Sequence, residues 1–142
     1  MNAKIKLRGV STETATLSLA INGNVVMTKE GTSLDYEYIL PTEGDYIFTL
    51  TATKGQETKT VTAQTCVVSA PVKEVRPEGV DMGIFYDEND HTKVTLSTYA
   101  ASKTAPAKHV FVVGDFNNWV VSNAYQMKQD GNFFWLEING LT

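Results

Sequence analysis

The chain is poor in the residues and patterns that usually announce a function. It holds one cysteine and four prolines in 142 residues. A lone cysteine, Cys66, cannot close an internal disulfide. No histidine lies near it in sequence, so it reads as a half-buried structural thiol, not a nucleophile. Lys and Arg number 12 against 16 Asp and Glu, for a net charge of −4, and no basic cluster occurs. That excludes a phosphate-binding surface and hence a nucleic-acid partner. Apolar runs are only a few residues long, too short for a membrane span. No secretory leader pattern opens the sequence. Met1 runs straight into a polar strand, so the natural N-terminus is expected to lie upstream or to have been removed. There is no phosphate loop, no Gly-x-Ser-x-Gly and no His-Glu-x-x-His. No stretch carries a helical period.

What remains is a succession of short alternating segments. Residues 3–10 and 14–21 alternate in the strand manner and are rich in Thr, Leu and Ile. Asn22-Gly23 is a strong hairpin signal, because both residues tolerate positive φ. Residues 24–28 return from it, and residues 34–40 put Leu34, Tyr36, Tyr38 and Leu40 on one face. Residues 44–53 place Tyr46, Phe48, Leu50 and Ala52 on one face, and residues 57–68 return beside them. The threonine rows on the other faces read as a solvated sheet surface. Strands every few residues with no helix predict a β-sandwich for residues 1–68.

Residues 69–79, SAPVKEVRPEG, hold two of the four prolines and no periodicity. They read as a short linker. Residues 80–142 then form a second strand-rich unit. Residues 80–86 and 93–99 pair as a hairpin around Asp87-Glu88-Asn89-Asp90-His91. That acidic turn lacks the spacing and the glycine of a calcium loop, so a solvated turn is expected and no metal. Residues 100–107 form a loop, residues 122–127 cross back with Met127 as core filler, and Gly131-Asn132 turns the chain. In the last strand Phe134, Leu136 and Ile138 share one face, and Phe133, Trp135 and Glu137 take the other. The face with Trp135 and Phe133 reads as a binding surface or, preferably, a docking surface for a neighbouring domain.

The stretch that organises this second unit is His109–Trp119, HVFVVGDFNNW. It predicts a buried strand through Val113, then a break at Gly114 that permits close backbone approach. Asp115, Asn117 and Asn118 are turn formers, with Phe116 turned inward as an anchor. Trp119 is left at the far edge. It is either a stacking platform for the flat face of a sugar ring or a core or interface residue. Asn117 and Asn118 are the candidate donors to sugar hydroxyls.

HVFVVGDFNNW is followed by Met127-Lys128-Gln129-Asp130-Gly131 and by Phe134-Trp135-Leu136-Glu137-Ile138-Asn139-Gly140-Leu141. This ordered set resembles the early-set β-sandwich that precedes the barrel of α-amylase-type enzymes of glycoside hydrolase family 13. That sandwich is also called carbohydrate-binding module family 48. The likeness covers roughly residues 78–142. It implies that Phe134, Leu136 and Ile138 face inward, which leaves Trp135 and Phe133 outward. In the family some such modules bind α-glucan and others brace the catalytic domain. Further strands, with a lysine and a second tryptophan at the sugar, follow where this chain stops at Thr142. The resemblance therefore implies an incomplete module. An unpaired strand edge at residues 133–138 is expected to recruit a second copy as a homodimer. Residues 1–68 more loosely resemble bacterial immunoglobulin-like domains. The likeness is carried by Pro41-Thr42-Glu43-Gly44-Asp45-Tyr46, with Tyr46 as the corner tyrosine that bonds backbone.

The fold expectation is all-β, two tandem immunoglobulin-like β-sandwiches with the second incomplete. Glycoside hydrolysis needs two carboxylates held about 5–9 Å apart. The acids here, among them Asp45, Asp87, Glu88, Asp90, Asp115 and Asp130, lie mostly in turns with nothing to pair them. No catalytic residue, metal or cofactor is expected. The implied role is that of a non-catalytic accessory region of an extracytoplasmic enzyme degrading starch or glycogen. Its partners would be α-glucan, weakly bound, and the downstream catalytic domain of the same polypeptide. The alternative is a purely structural or protein-interaction pair of domains on a surface protein, with no sugar binding.

Overall fold

The computed structural model describes residues 3–102 and 104–142. The reading of Met1, and the part of the 100–107 loop at Lys103, lie outside them. The chain divides into two compact units, Met1–Val67 and Val68–Thr142. It is nearly all-β, with one four-stranded antiparallel sheet in each unit.

The first unit consists of β1 (Ala3–Ile21), β2 (Asn24–Leu40), β3 (Gly44–Lys54) and β4 (Glu57–Val67), in the order β2-β1-β3-β4. The four segments expected over residues 3–40 are two long strands. Their hairpin turns at Asn22 (φ 48°) and Gly23 (φ 81°). The Asn22 side chain secures that turn. Its amide donates to the Asp45 carbonyl (3.1 Å), and its Oδ1 accepts from the Ile47 N–H (2.8 Å).

The ribbon then bends. Val10 pairs with Ser33 but Ala15 pairs with Gly31, so residues 11–14 form an extra corner in β1. Only residues 16–21 of β1 pair with β3. The other half folds back over the sheet, and two linked cores form between the layers. One joins Leu17, Leu19 and Leu34 to Leu7, Tyr36 and Leu50; the other joins Ile21, Leu40, Tyr46 and Phe48 to Ile5 and Tyr38. Gly9 marks how closely the layers approach, because a Cβ there would sit 2.3 Å from Leu50 Cδ2. The folded-back layer has only two strands and leaves β4 uncovered: every residue from 57 to 64 is exposed. Cys66, half-buried on β4 opposite Asp45, has its thiol pushed up chiefly by burial and then by the Asp45 charge.

Tyr46 is buried, and its hydroxyl donates to the Thr42 carbonyl at 2.7 Å, as the corner resemblance implied. Tyr46→Phe is expected to cost about 1 kcal/mol, read as a lowered urea midpoint at unchanged slope.

The second unit consists of β5 (Gly83–Tyr86), β6 (Val94–Tyr99), β7 (Lys128–Asp130) and β8 (Phe133–Ile138), in the order β5-β6-β8-β7. Val94, Phe134, Leu136 and Ile138 form its core with Met127, as expected of the inward face. Val110, Val112, Tyr125 and Leu141 pack against them.

The other face is roofed by a segment expected to be a linker. Gln129 N–H donates to the Val72 carbonyl (2.8 Å), and Glu74 N–H donates to the Gln129 carbonyl (3.0 Å). Lys73 and Gln129 form a parallel bridge. Arg76 Nε bonds Asp130 Oδ2 (3.0 Å), and Lys128 Nζ bonds Glu74 Oε1 (2.8 Å). The segment bonds through backbone and charged ends at successive positions, which leaves no periodic signature. β8 is paired with β6 along its length and with β7 over residues 133–135. It is an interior strand, not the unpaired edge foreseen at residues 133–138.

The acidic turn closes on itself. Asp87 Oδ1 accepts the N–H groups of Asn89 (2.9 Å) and Asp90 (3.0 Å), and Asp90 Oδ1 accepts the Thr92 hydroxyl (2.7 Å) and N–H (3.0 Å). These bonds hold both carboxyls below their ordinary range. A carboxyl lowered on folding stabilises above its unfolded pKa and loses that contribution as pH falls through the folded value. Asp87→Asn is therefore expected to flatten the fall of the urea midpoint below about pH 4.

Candidate functional site

The site begins where the organising stretch leaves the core. Residues 109–113 were expected to form a regular strand. They run instead as an irregular arm beside residues 125–127. Met127 N–H donates to the Val110 carbonyl (2.8 Å), Val112 N–H donates to the Tyr125 carbonyl (3.0 Å), and Phe111 bridges Gln126. Two short 3₁₀ turns, Asp115–Asn117 and Asn123–Tyr125, sit beyond this pairing and prevent a longer ladder.

Gly114 is buried and extended, and a Cβ there would meet the Phe116 ring at 2.6 Å. The glycine is required because that ring lies against the loop's own backbone. Phe116 is therefore not the inward anchor expected. It is 40% exposed and packs on Tyr125 with ring centroids 5.3 Å apart.

Asn117 closes the loop. Its Oδ1 accepts the Gly114 N–H (2.9 Å), and its amide donates to the Val112 carbonyl (2.9 Å). Both ends of the side chain are thus engaged with the loop's own backbone, with one amide N–H committed to Val112. Asn118 is exposed and adopts the left-handed conformation that asparagine tolerates (φ 54°).

Trp119 follows in the same region, at φ 59°. For a bulky residue this is a true outlier, costing about 1–3 kcal/mol. Its N–H donates to the Gly114 carbonyl (2.9 Å), which holds the chain in that turn. The side chain is 66% exposed, and its indole Nε1 donates to Asp115 Oδ1 at 2.8 Å. Asp115 thus steadies the ring as well as forming the turn. With the only indole donor committed, the ring can offer a ligand its faces and edges but no hydrogen bond. Val113, Phe116 and Val121, from the same loop, are also exposed.

Trp135 and Phe133 lie elsewhere and do a different job. Trp135 was expected outward on a docking surface. It is 4% exposed, and its Nε1 donates to the Glu74 carbonyl at 2.9 Å. The Lys128 ammonium lies 4.5 Å from the indole centroid, and the Arg76 guanidinium lies 3.6 Å from the centroid of Phe133. The partner that covers this pair is the unit's own segment 72–76. One signal in the sequence pointed to it: residues 133–136, FFWL, are apolar on both faces, which is the mark of a strand covered on both sides.

Among the described residues, no group of three or more His, Cys, Asp or Glu side chains gathers in a metal-binding arrangement. No family model, curated protein or solved structure matches this chain.

Proposed function

We propose that the chain is a non-catalytic accessory region whose second unit presents Trp119 as a stacking platform for a pyranose ring. The observation that carries this reading is the backbone of Trp119. A tryptophan held in an unfavourable conformation, with its indole tied to Asp115 and its ring in solvent, is costly to keep and gains nothing for the core. Sugar rings expose flat C–H faces that suit an aromatic plane lacking free donors. The resemblance of residues 78–142 to the family 48 early-set module makes α-glucan the ligand of choice. It also makes the parent an extracytoplasmic starch- or glycogen-degrading enzyme, with the first unit as an immunoglobulin-like spacer and the catalytic domain downstream. One stacking residue contributes about 1 kcal/mol, well short of the about 4 kcal/mol that a millimolar Kd represents, so binding is weak, millimolar or weaker.

The exposed Val113, Phe116 and Val121 favour a second reading, in which the loop braces a neighbouring domain and takes no sugar. Titration of tryptophan fluorescence with maltoheptaose separates the two. Sugar binding predicts saturable quenching that Trp119→Ala abolishes. Unchanged emission to tens of millimolar rejects the sugar.

A further inference from the structure

Among the described residues, the open edge of β4 is the long strand edge of the first unit's sheet with the fewest guards against pairing. The half of β1 left unpaired by β3 carries Lys4, Lys6 and Arg8, charges that discourage edge pairing. The pairing of β2 is broken by register shifts at two places. β5 has four residues, and β7 is covered by residues 72–74. Of these guards β4 has only two charges, Glu57 and Lys59, both at its turn end. It runs in unbroken register with β3 from Glu57 to Val67, without proline or glycine, and carries no charge beyond Lys59. Every residue from 57 to 64 is exposed, including Val61 at 64%. Val61 and Ala63 line an apolar groove with Leu7, Leu19, Phe48 and Leu50.

The turn fixes which backbone groups face out. Lys54 and Glu57 flank a two-residue hairpin turn at Gly55-Gln56, and such flanking residues exchange both backbone bonds. Odd-numbered residues of β4 therefore bond to β3. Thr58, Thr60, Thr62, Gln64 and Cys66 direct their N–H and C=O groups to the open edge.

We infer that β4 is a self-association edge, pairing antiparallel with β4 of a second copy about a two-fold axis through Thr62. This register overlaps the whole strand and sets the outward-bonding residues against one another. Thr62 meets Thr62, Thr60 meets Gln64, and Thr58 meets Cys66. Glu57 falls opposite Val67 and Lys59 opposite Thr65, so no like charges meet. Val61 comes to lie against Ala63 of the other copy, which covers the exposed apolar pair. The interface is isologous and closes as a dimer. It joins the two sheets into one and does not depend on the sugar platform.

Sedimentation of the full chain from micromolar to submillimolar concentration tests this. The expected result is a shift from the 15.6 kDa chain mass toward twice that value. Thr62→Pro, which removes only an outward N–H, is expected to stay at the chain mass with an unchanged far-ultraviolet spectrum. Thr62→Lys sets two ammonium groups against each other and is expected to weaken association most at low salt. If Thr62→Pro disturbs the fold, the paired change Thr60→Lys with Gln64→Glu decides. It places two ion pairs across the axis and is expected to tighten association by about threefold at low salt. The chain mass at every concentration, or a dimer indifferent to the Thr62→Lys and paired changes, would overturn the inference.

Discussion

Trp135→Ala is expected to cost the second unit about 3–5 kcal/mol, a large share of the about 5–15 kcal/mol that holds an ordinary domain folded. Three losses combine. The indole is almost fully buried, its N–H satisfies the Glu74 carbonyl, and its ring supports the Lys128 ammonium. Removing it leaves a cavity under segment 72–76 and an unpaired carbonyl beside it. Trp135→Phe keeps most of the volume and loses the donor, so it should fall between wild type and alanine. Equilibrium urea unfolding followed by near-ultraviolet dichroism measures all three. A cost below about 1 kcal/mol for Trp135→Ala is the behaviour of a surface residue. It would mean that residues 72–76 do not roof the sheet in solution.

Trp119 is expected to behave in the opposite way. Trp119→Ala and Trp119→Gly should both abolish the glucan response while leaving the second unit folded. Their order of stability should be reversed from that in ordinary strand or helix. At φ 59° alanine keeps the left-handed penalty, whereas glycine escapes it, so the glycine variant should be the more stable by about 1 kcal/mol. Parallel urea titrations of the two variants read this directly. Equal stabilities, or alanine above glycine, would show that the backbone at this position is not strained and would remove the main support for a displayed platform.

The contrast between the two tryptophans also shows how far the sequence could be read. The hairpin turns at Asn22-Gly23 and Gly131-Asn132 and the grouping of Phe134, Leu136 and Ile138 on one face rest on local rules, while the inward sense of that face and the Tyr46 corner come from resemblance. Turn chemistry and two-residue alternation are properties of neighbours in the chain, and they survive folding unchanged. The roof over Trp135 depends on residues about sixty positions away that meet it through a backbone carbonyl, an ammonium and a guanidinium. No period in residues 69–79 records such contacts, and two prolines there imitate a linker. The long β1–β2 ribbon was divided in two because the bend at residues 11–14 and Gly31 resembles a chain break when read locally. At the site, exposure of Trp119 was legible from its place after a run of turn formers. The commitment of Asn117 to its own loop was not, since asparagine bonds backbone and ligands with the same groups.

On the proposed reading the two indoles have separate tasks, Trp119 meeting sugar and Trp135 holding the second unit together. Nitrogen-15 correlation spectra of the two indole N–H groups during a maltoheptaose titration test it most directly. The Trp119 signal is expected to shift progressively as sugar rises from millimolar into tens of millimolar. The Trp135 signal should stay in place and remain protected from solvent exchange. A Trp119 signal that never moves, or a Trp135 signal that exchanges freely and follows the sugar, would contradict it.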